Sequence, residues 1–166
     1  NPIERPLPFT PFKDFTGRPI NEVNLYATEL SSALSAISRT SISANMDTRL
    51  STAIVNAYKD KKLRSVTFSE ILEHYKALLP EKQQDKTDSV ISVLSQLVNN
   101  HIFEDEDKID LLNSCYIINL GRYPKDGAMA KAIVYFVVSK LNSIYEQLPP
   151  QAANKERVEL RHFTII

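Results

Sequence analysis

The 166-residue chain is poor in glycine, has a single cysteine and contains no tryptophan. Its 3 glycines leave little material for a loop that cradles phosphate, and no G-x-x-x-x-G-K-[ST] motif occurs. Cys115 alone cannot form an intramolecular disulfide, and it fits a small buried residue in a reducing compartment. These absences exclude a disulfide-stapled scaffold and a self-sufficient P-loop nucleotide site.

Neither sign of charge prevails, and no apolar run is long. Lysine plus arginine and aspartate plus glutamate both number 20, so the formal net charge is zero and no overall field steers the chain to nucleic acid or to a membrane. The most apolar stretch, residues 128–148, is interrupted by Lys131, Ser139 and Lys140, whereas a spanning helix needs roughly 18 apolar residues in succession. We therefore expect a cytoplasmic location and no membrane partner.

Patterns that would mark catalysis or a metal site are also missing. The acidic run 104–107 lacks the spacing and the glycine of a calcium loop, which favours a solvated loop. His74, His101 and His162 lie far apart in the sequence, so no zinc cluster is predicted. No G-x-S-x-G nucleophile motif occurs either. The sequence thus predicts no catalytic residue and no metal ligand in this chain.

The chain divides into three regions. Residues 1–20 are rich in proline and phenylalanine, which predicts an extended segment that lies across the surface of a parent domain and keeps its aromatic rings covered. These rings belong to Phe9, Phe12 and Phe15. Residues 21–100 have a helical apolar period and predict an insertion-like helical bundle. Residues 101–166 predict a partial α/β region.

Four helices are predicted within the bundle. They span about residues 21–38, 46–58, 68–79 and 87–99. Asn21 is a candidate N-cap of the first helix, because its side chain can accept from a free backbone amide. Thr67 and Glu70 have the spacing of a capping box, so the third helix is expected to begin directly after Thr67.

The last third of the chain predicts a βαβ unit. Residues 115–120 form a short apolar run that favours a buried strand. A long helix follows over 128–148, with a broad apolar face that includes Tyr135 and Val138, and the β-branched run 163–166 favours a second strand. Two such strands lie parallel in one sheet. The predicted fold is mixed and predominantly α, a helical bundle followed by a partial βαβ unit, whose open strand edges predict self-association.

This order of elements resembles the interior of a HerA/FtsK-type P-loop ATPase. The resemblance lies in a helical stretch, an apolar strand that ends in the turn 120–124, a long helix, a charged loop and the strand 161–166. It implies a fragment of a RecA-like α/β ATPase core, in which a helical insertion separates the two nucleotide motifs. Residues 163–166 resemble the run just before the acidic residues of the second motif, so the fragment would carry no catalytic motif and would be inactive alone.

The resemblance also implies what the parent protein binds. The parent would be a DNA-translocating or helicase-type ATPase in DNA restriction or processing. ATP and magnesium would be its cofactors, and the fragment itself would hold neither. Its partners would be the remainder of the ATPase, neighbouring subunits and, through the parent, DNA. A stand-alone helical protein-interaction adaptor is the alternative function.

Two charged clusters are the candidate sites. Arg122 and Lys125 follow the predicted strand 115–120, where ligands of open α/β sheets bind, and they are candidates to face a nucleotide or a neighbouring subunit. A second cluster is a candidate for contacts with DNA phosphates. It consists of Lys59, Lys61, Lys62 and Arg64. For both clusters, solvated charges in an ordinary turn are the alternative, and loops with no site are the more frequent case.

Overall fold

The fold is predominantly helical. The computed structural model describes Pro2 and residues 5–38, 40–83, 86–109, 111, 116–124 and 127–146. Its five α-helices are α1 (Ile20–Ile37), α2 (Ala44–Asp60), α3 (Phe68–Ala77), α4 (Ser89–Asn100) and α5 (Ala128–Glu146), and a short 3₁₀ turn at Glu81–Gln83 follows α3. The prediction of a helix-dominated fold is therefore confirmed.

The helices pack mainly against their neighbours in sequence. α1 packs against α2, α2 against α3 and α3 against α4, while α5 contacts α1 and α4. Between α1 and α2 the contact is partly polar, because the buried Ser31 hydroxyl donates to the Asp47 carboxylate. The result is one continuous apolar core that reaches from the bundle to α5.

Side-chain caps set the beginning of three helices. The Ser43 hydroxyl accepts from the Met46 amide at α2, and the Asp88 carboxylate accepts from the Ile91 amide at 2.8 Å at α4. At α3 the predicted capping box is confirmed, because Thr67 accepts from the Glu70 amide while Glu70 accepts from the Thr67 amide at 2.8 Å. Each such cap satisfies amides that have no partner inside the helix.

The predicted cap of α1 is wrong. The N-cap position is Pro19, which makes no side-chain hydrogen bond, and Asn21 lies inside the first turn. The proline ring fixes φ near the value of −67° found here, so the ring itself sets the direction in which the chain enters the helix.

The segment 5–19, which we call the strap, runs over the bundle and buries its aromatic rings in it. Phe9, Phe12 and Phe15 are 1%, 2% and 4% exposed. The Phe12 ring lies 4.7 Å from the ring of Phe68 in α3 and 6.0 Å from that of Phe136 in α5. The extended segment was predicted, but its rings were expected against a parent domain. They are covered by helices of this chain instead.

Backbone hydrogen bonds fix the strap at both ends. Near its start, the Leu7 amide donates to the Ile102 carbonyl at 2.7 Å and the Glu104 amide donates to the Leu7 carbonyl at 3.0 Å. These bonds form a parallel bridge between Leu7 and Phe103. Near its end, the Phe15 amide donates to the Leu63 carbonyl at 2.9 Å. The strap therefore ties the turn after α2 to the segment after α4.

The predicted strand at 115–120 is not seen in the part of it that the structure describes. Residues 116–120 form no strand, and Tyr116 and Ile117 are 44% and 95% exposed. A strand exists only when a neighbour accepts and donates its ladder hydrogen bonds, and the described residues supply no such neighbour to this run. Cys115 and the second predicted strand, 163–166, lie outside the described residues. No sign of a βαβ unit is seen within them.

Phe12 should make a large contribution to the stability of this packing. We expect Phe12→Ala to lower the free energy of unfolding by about 3–5 kcal/mol, because it empties a ring-sized space between α3 and α5. Leu25→Ala is the matched control, since Leu25 is 64% exposed and its truncation should change stability by less than about 0.5 kcal/mol. Urea denaturation followed by circular dichroism measures both. Equal effects of the two substitutions would contradict the strap's role.

Candidate functional site

An apolar groove lies between the turn 120–124 and the first half of α5. We call it the α5 groove; its volume is about 510 Å³ and it is lined by Leu120, Tyr123, Ala130, Lys131, Val134 and Tyr135. Burial raises the pKa of Tyr123 and of Tyr135 above the ordinary value of 10. Both phenols are therefore neutral at physiological pH, and among the described residues that line the groove Lys131 is the one cation.

The turn that forms one wall of the groove is closed by local hydrogen bonds. The Tyr123 amide donates to the Leu120 carbonyl at 2.9 Å, and the Gly127 amide donates to the Pro124 carbonyl at 2.8 Å. A side chain at Gly127 would bring its Cβ within 2.8 Å of that same Pro124 oxygen. Glycine is thus required where the chain turns into α5.

The apolar surface extends beyond the groove along α5. Val134 and Val138 are one helical turn apart on the same face and are 50% and 41% exposed. The sequence had placed Val138 on the buried face together with Tyr135, and that prediction is wrong for Val138. The side of α5 that packs on the bundle carries Ala132, Ile133 and Phe136 instead. α5 is therefore apolar on two sides, a pattern typical of helices that are covered on both.

Of the two candidate site residues predicted near this turn, Arg122 and Lys125, the structure describes one. Arg122 is exposed and lies at the turn beside the groove, next to the lining residue Tyr123. Lys125 lies outside the described residues. The structure therefore places one of the two nucleotide- or subunit-facing candidates at the edge of an apolar groove. Ala130 and Val134 in that groove were missed, although an α5 apolar on both sides was a signal for them.

The four DNA-phosphate candidates lie together where α2 ends and the chain turns towards α3. We call this the basic turn, formed by Lys59, Lys61, Lys62 and Arg64. Lys59, Lys62 and Arg64 are exposed. Lys62 and Leu63 have φ angles of 53° and 65°, a left-handed conformation that costs roughly 1–2 kcal/mol for a residue with a side chain. Neither Lys62 nor Leu63 is a glycine, the residue that adopts this conformation without that cost.

That backbone conformation connects the basic turn to the strap. The Leu63 amide donates back to the Tyr58 carbonyl at 2.8 Å, which ends α2, and the Leu63 carbonyl accepts from Phe15. The Tyr58 hydroxyl donates to the Lys13 carbonyl at 2.9 Å. The cost of the left-handed residues is therefore offset by bonds that dock the strap, and the basic side chains are presented outward as a consequence.

Lys61 differs from the other basic residues because it is paired. Its Nζ lies 2.9 Å from Oε1 of Glu70, the residue whose other carboxylate oxygen completes the capping box of α3. Next to it, His74 Nε2 lies 3.2 Å from Asp60 Oδ2. These pairs join the end of α2 to α3, so Lys61 has a structural role and is a poorer phosphate candidate than Lys62 or Arg64.

The acidic run 104–107 is more than a solvated loop. Asp107 accepts from the Lys140 ammonium at 2.7 Å and from the Thr10 amide at 3.0 Å, so it joins α5 to the strap. Glu104 pairs with Lys108 at 3.0 Å. Within the part of the chain that the structure describes, no group of three or more histidine, cysteine, aspartate or glutamate side chains could hold a metal ion.

Comparison with protein-family models, with curated proteins and with solved structures finds no match to this chain. Over the described ranges, no helix combines the length and the apolar character that crossing a membrane requires. The chemistry of the α5 groove and of the basic turn must therefore be judged from their own residues. The groove offers apolar contact with one cation, and the basic turn offers exposed positive charge.

The pairing of Glu70 predicts a pH dependence. Burial is the largest single influence and raises the pKa of Glu70, but the hydrogen bonds from Lys61 and Thr67 together outweigh it, so the pKa lies below the ordinary 4.5. A carboxyl with a lowered pKa in the folded state stabilises the fold above its ordinary pKa and loses that contribution as the pH falls through the lower value.

Glu70→Gln keeps the capping geometry and removes the charge. We expect it to lower the free energy of unfolding by about 0.5 kcal/mol at pH 7, since the pair with Lys61 is partly exposed. The difference from the native chain should shrink as the pH falls from about 5 to about 3. Denaturation at each pH measures it. Glu73→Gln in the same helix is the control; an equal loss there would assign the effect to net charge alone.

Proposed function

We propose that this chain is a helical region of a DNA-translocating or helicase-type P-loop ATPase of the HerA/FtsK type. In this proposal the region lies between the two nucleotide motifs and holds no catalytic motif, and the protein acts in the cytoplasm in DNA restriction or processing. The particular parent that we propose is the HerA-like helicase component of bacterial DNA phosphorothioation-dependent restriction. ATP and magnesium are bound by the parent outside this region.

The observation that carries the proposal is the contrast between the two sides of α5. One side is packed on the helical bundle, with Phe136 fully buried, while the other presents Val134 and Val138 and the apolar α5 groove. A helix that follows a strand in an α/β core is covered by the bundle on one side and by a sheet on the other. The finer fold in this proposal is a partial βαβ unit, in which residues 115–120 and 163–166 join the sheet of the complete ATPase.

The position of Arg122 supports a role near nucleotide or at a subunit contact. It lies in the turn that leads from residues 116–120 into α5, and in open α/β sheets ligands bind beyond the carboxyl ends of the strands. An arginine there offers a planar fork of donors suited to phosphate oxygens. Lys125, three residues later, is the second candidate for the same contact.

The first test uses the full-length parent protein. Arg122→Ala should lower the kcat of DNA-stimulated ATP hydrolysis by about 10²-fold while ATP binding and folding are retained, which is the scale of losing one preorganised donor to developing charge. Arg18→Ala is the control, because Arg18 is exposed and pairs locally with Glu22 at 3.0 Å. A parent protein without any ATPase activity would contradict the proposal.

The second test concerns DNA. In the proposal the basic turn contacts phosphates as a charge patch without base readout. Lys62→Glu combined with Arg64→Glu in the parent should weaken duplex DNA binding and reduce the slope of log K against log salt by about 2. Fluorescence anisotropy with a short duplex at several salt concentrations measures this.

A matched control comes from the loop between α3 and α4. Lys82 and Lys86 are also exposed, so Lys82→Glu combined with Lys86→Glu makes the same change of net charge elsewhere on the surface. The proposal predicts little change for this pair. If both double variants weaken binding equally, DNA binding depends on the net charge of the protein and the basic turn has no specific role.

The alternative function is a stand-alone helical adaptor that binds another protein. The same α5 groove supports it, because apolar contact with few polar groups is typical of the core of a protein interface. The two functions differ in what flanks the segment in the gene product. A Gly-Lys-Ser/Thr loop before it and an acidic pair directly after residue 166 are expected only for the ATPase.

A further inference from the structure

A polar cleft lies between the strap and the second half of α5, and we call it the strap cleft. It consists of two cavities of about 260 and 320 Å³ that share Lys13, Asp14 and Ser143 in their walls. From this shared middle, one cavity follows the strap towards Arg18 and the other follows it towards Thr10. The strap cleft is therefore an elongated space that runs along the strap.

Carboxylates outnumber cations in the walls of the strap cleft. Each cation among the described lining residues pairs with one carboxylate, in the pairs Lys13 with Glu146, Arg18 with Glu22 and Lys140 with Asp107. The remaining lining carboxylates are those of Asp14, Glu29, Asp105 and Glu106. Asp14 lies near Arg64 of the basic turn, whereas the other three make no ion pair within the described part of the chain. The cleft thus has an excess of negative charge, although the chain as a whole is neutral.

Ser143 is a second and independent sign that the strap cleft binds a ligand. It is 7% exposed and lies in the walls of both cavities. Its hydroxyl makes no hydrogen bond to a described residue. Because every fully enclosed polar side-chain atom in the described chain has a partner, this hydroxyl must be open to the cleft. A largely buried hydroxyl without a partner is unfavourable, and a donor that enters the cleft would satisfy it.

The lining of the cleft indicates the chemistry of its ligand. Among the described residues, no group of three or more acidic, histidine or cysteine side chains could hold a metal ion, so the carboxylates suit positive charges that are set apart. The same walls contain the apolar side chains of Phe12, Leu25 and Ile144, against which methylene groups can pack. The face of the Tyr26 ring, 5.7 Å from Lys13 Nζ, already accepts an ammonium group. Ammonium groups joined by methylene chains combine these properties.

We infer that the strap cleft binds a linear polyamine. Its terminal ammonium groups pair with Glu29 in one cavity and with Asp105 and Glu106 in the other, and a nitrogen between them donates to the Ser143 hydroxyl. A slender chain fits two small cavities in line, whereas a lysine-rich peptide carries the same ammonium groups on a wider backbone. This inference goes beyond the proposed function, since it involves neither nucleotide nor DNA and holds for an ATPase region and for an adaptor alike.

The first experiment is calorimetric titration of the 166-residue chain with spermidine. Hexaamminecobalt(III) has the same charge in a compact form, and a blocked trilysine peptide has that charge on a peptide backbone. We expect spermidine to bind more tightly than either by about tenfold, because only the slender, extended cation reaches the carboxylates of both cavities. Equal binding of the cobalt complex would reduce the cleft to a diffuse charge effect and overturn the inference. Tighter binding of the peptide would overturn it too and assign the cleft to a basic protein segment.

Substitutions then locate the bound spermidine. Glu29→Gln combined with Asp105→Asn removes one carboxylate from each cavity and should weaken binding by about tenfold. Glu73→Gln combined with Glu81→Gln is the matched control, because both residues are exposed on or directly after α3 and the change of net charge is the same. The inference predicts little change for this control pair. Equal weakening by the two double variants would contradict it.

Ser143→Ala separates ligand binding from a structural role. We expect it to weaken spermidine binding by about fivefold, the scale of one lost hydrogen bond. The melting temperature without spermidine should stay the same, because the hydroxyl has no described partner to lose. Circular dichroism measures the melting curve and calorimetry the binding. Unchanged binding by Ser143→Ala, or a lower melting temperature with unchanged binding, would remove Ser143 from the site and overturn the inference.

Discussion

The edge-to-face packing of Phe12 between Phe68 and Phe136 is the contact on which the arrangement of the chain depends. It joins the strap to α3 and to α5 at once, and ring centroids at 4.7 Å and 6.0 Å lie within the range of favourable aromatic pairs. The strap is rich in proline and cannot form a helix or sheet of its own. Its order must therefore come from these buried rings and from its few bonds to the bundle, and α5 is positioned by the same rings.

Because these rings hold α5 against the strap and the bundle, the two sides of α5 differ. On the strap side, charges are paired across elements, with Lys140 to Asp107 at 2.7 Å and Lys13 to Glu146 at 3.1 Å, so the second half of α5 is tied down. On the other side, within the described part of the chain, α5 meets the turn 120–124 and presents apolar groups outward. Lys62 lies next to Leu63, whose carbonyl accepts from the Phe15 amide of the strap, so the backbone of the basic turn is held by the same packing.

The helices were predictable because their signals are local. The Thr67 and Glu70 spacing specifies the start of α3 from four residues, and the apolar period of α1 and α4 survives in the buried residues of both. The prediction of a strand, in contrast, depends on distant partners. Residues 116–120 have the composition of a strand, but a strand requires a neighbour that no local pattern supplies. The burial of Phe12 and the pairing of Asp107 with Lys140 likewise join residues far apart in sequence, and no spacing rule reports them. In the candidate site, the charged residues could be identified from the sequence, whereas the groove beside Arg122 could not.

Native-state hydrogen exchange of the strap and α5 tests the central claim most directly. If the aromatic contacts make strap, bundle and α5 one cooperative unit, the amides of α5 and those of α1 to α4 should open with the same free energy and the same denaturant dependence. An opening of α5 and the strap at a distinctly lower free energy, while α1 to α4 stay closed, would show that the rings of Phe12 and Phe136 do not hold α5 on the bundle, and the account would be wrong.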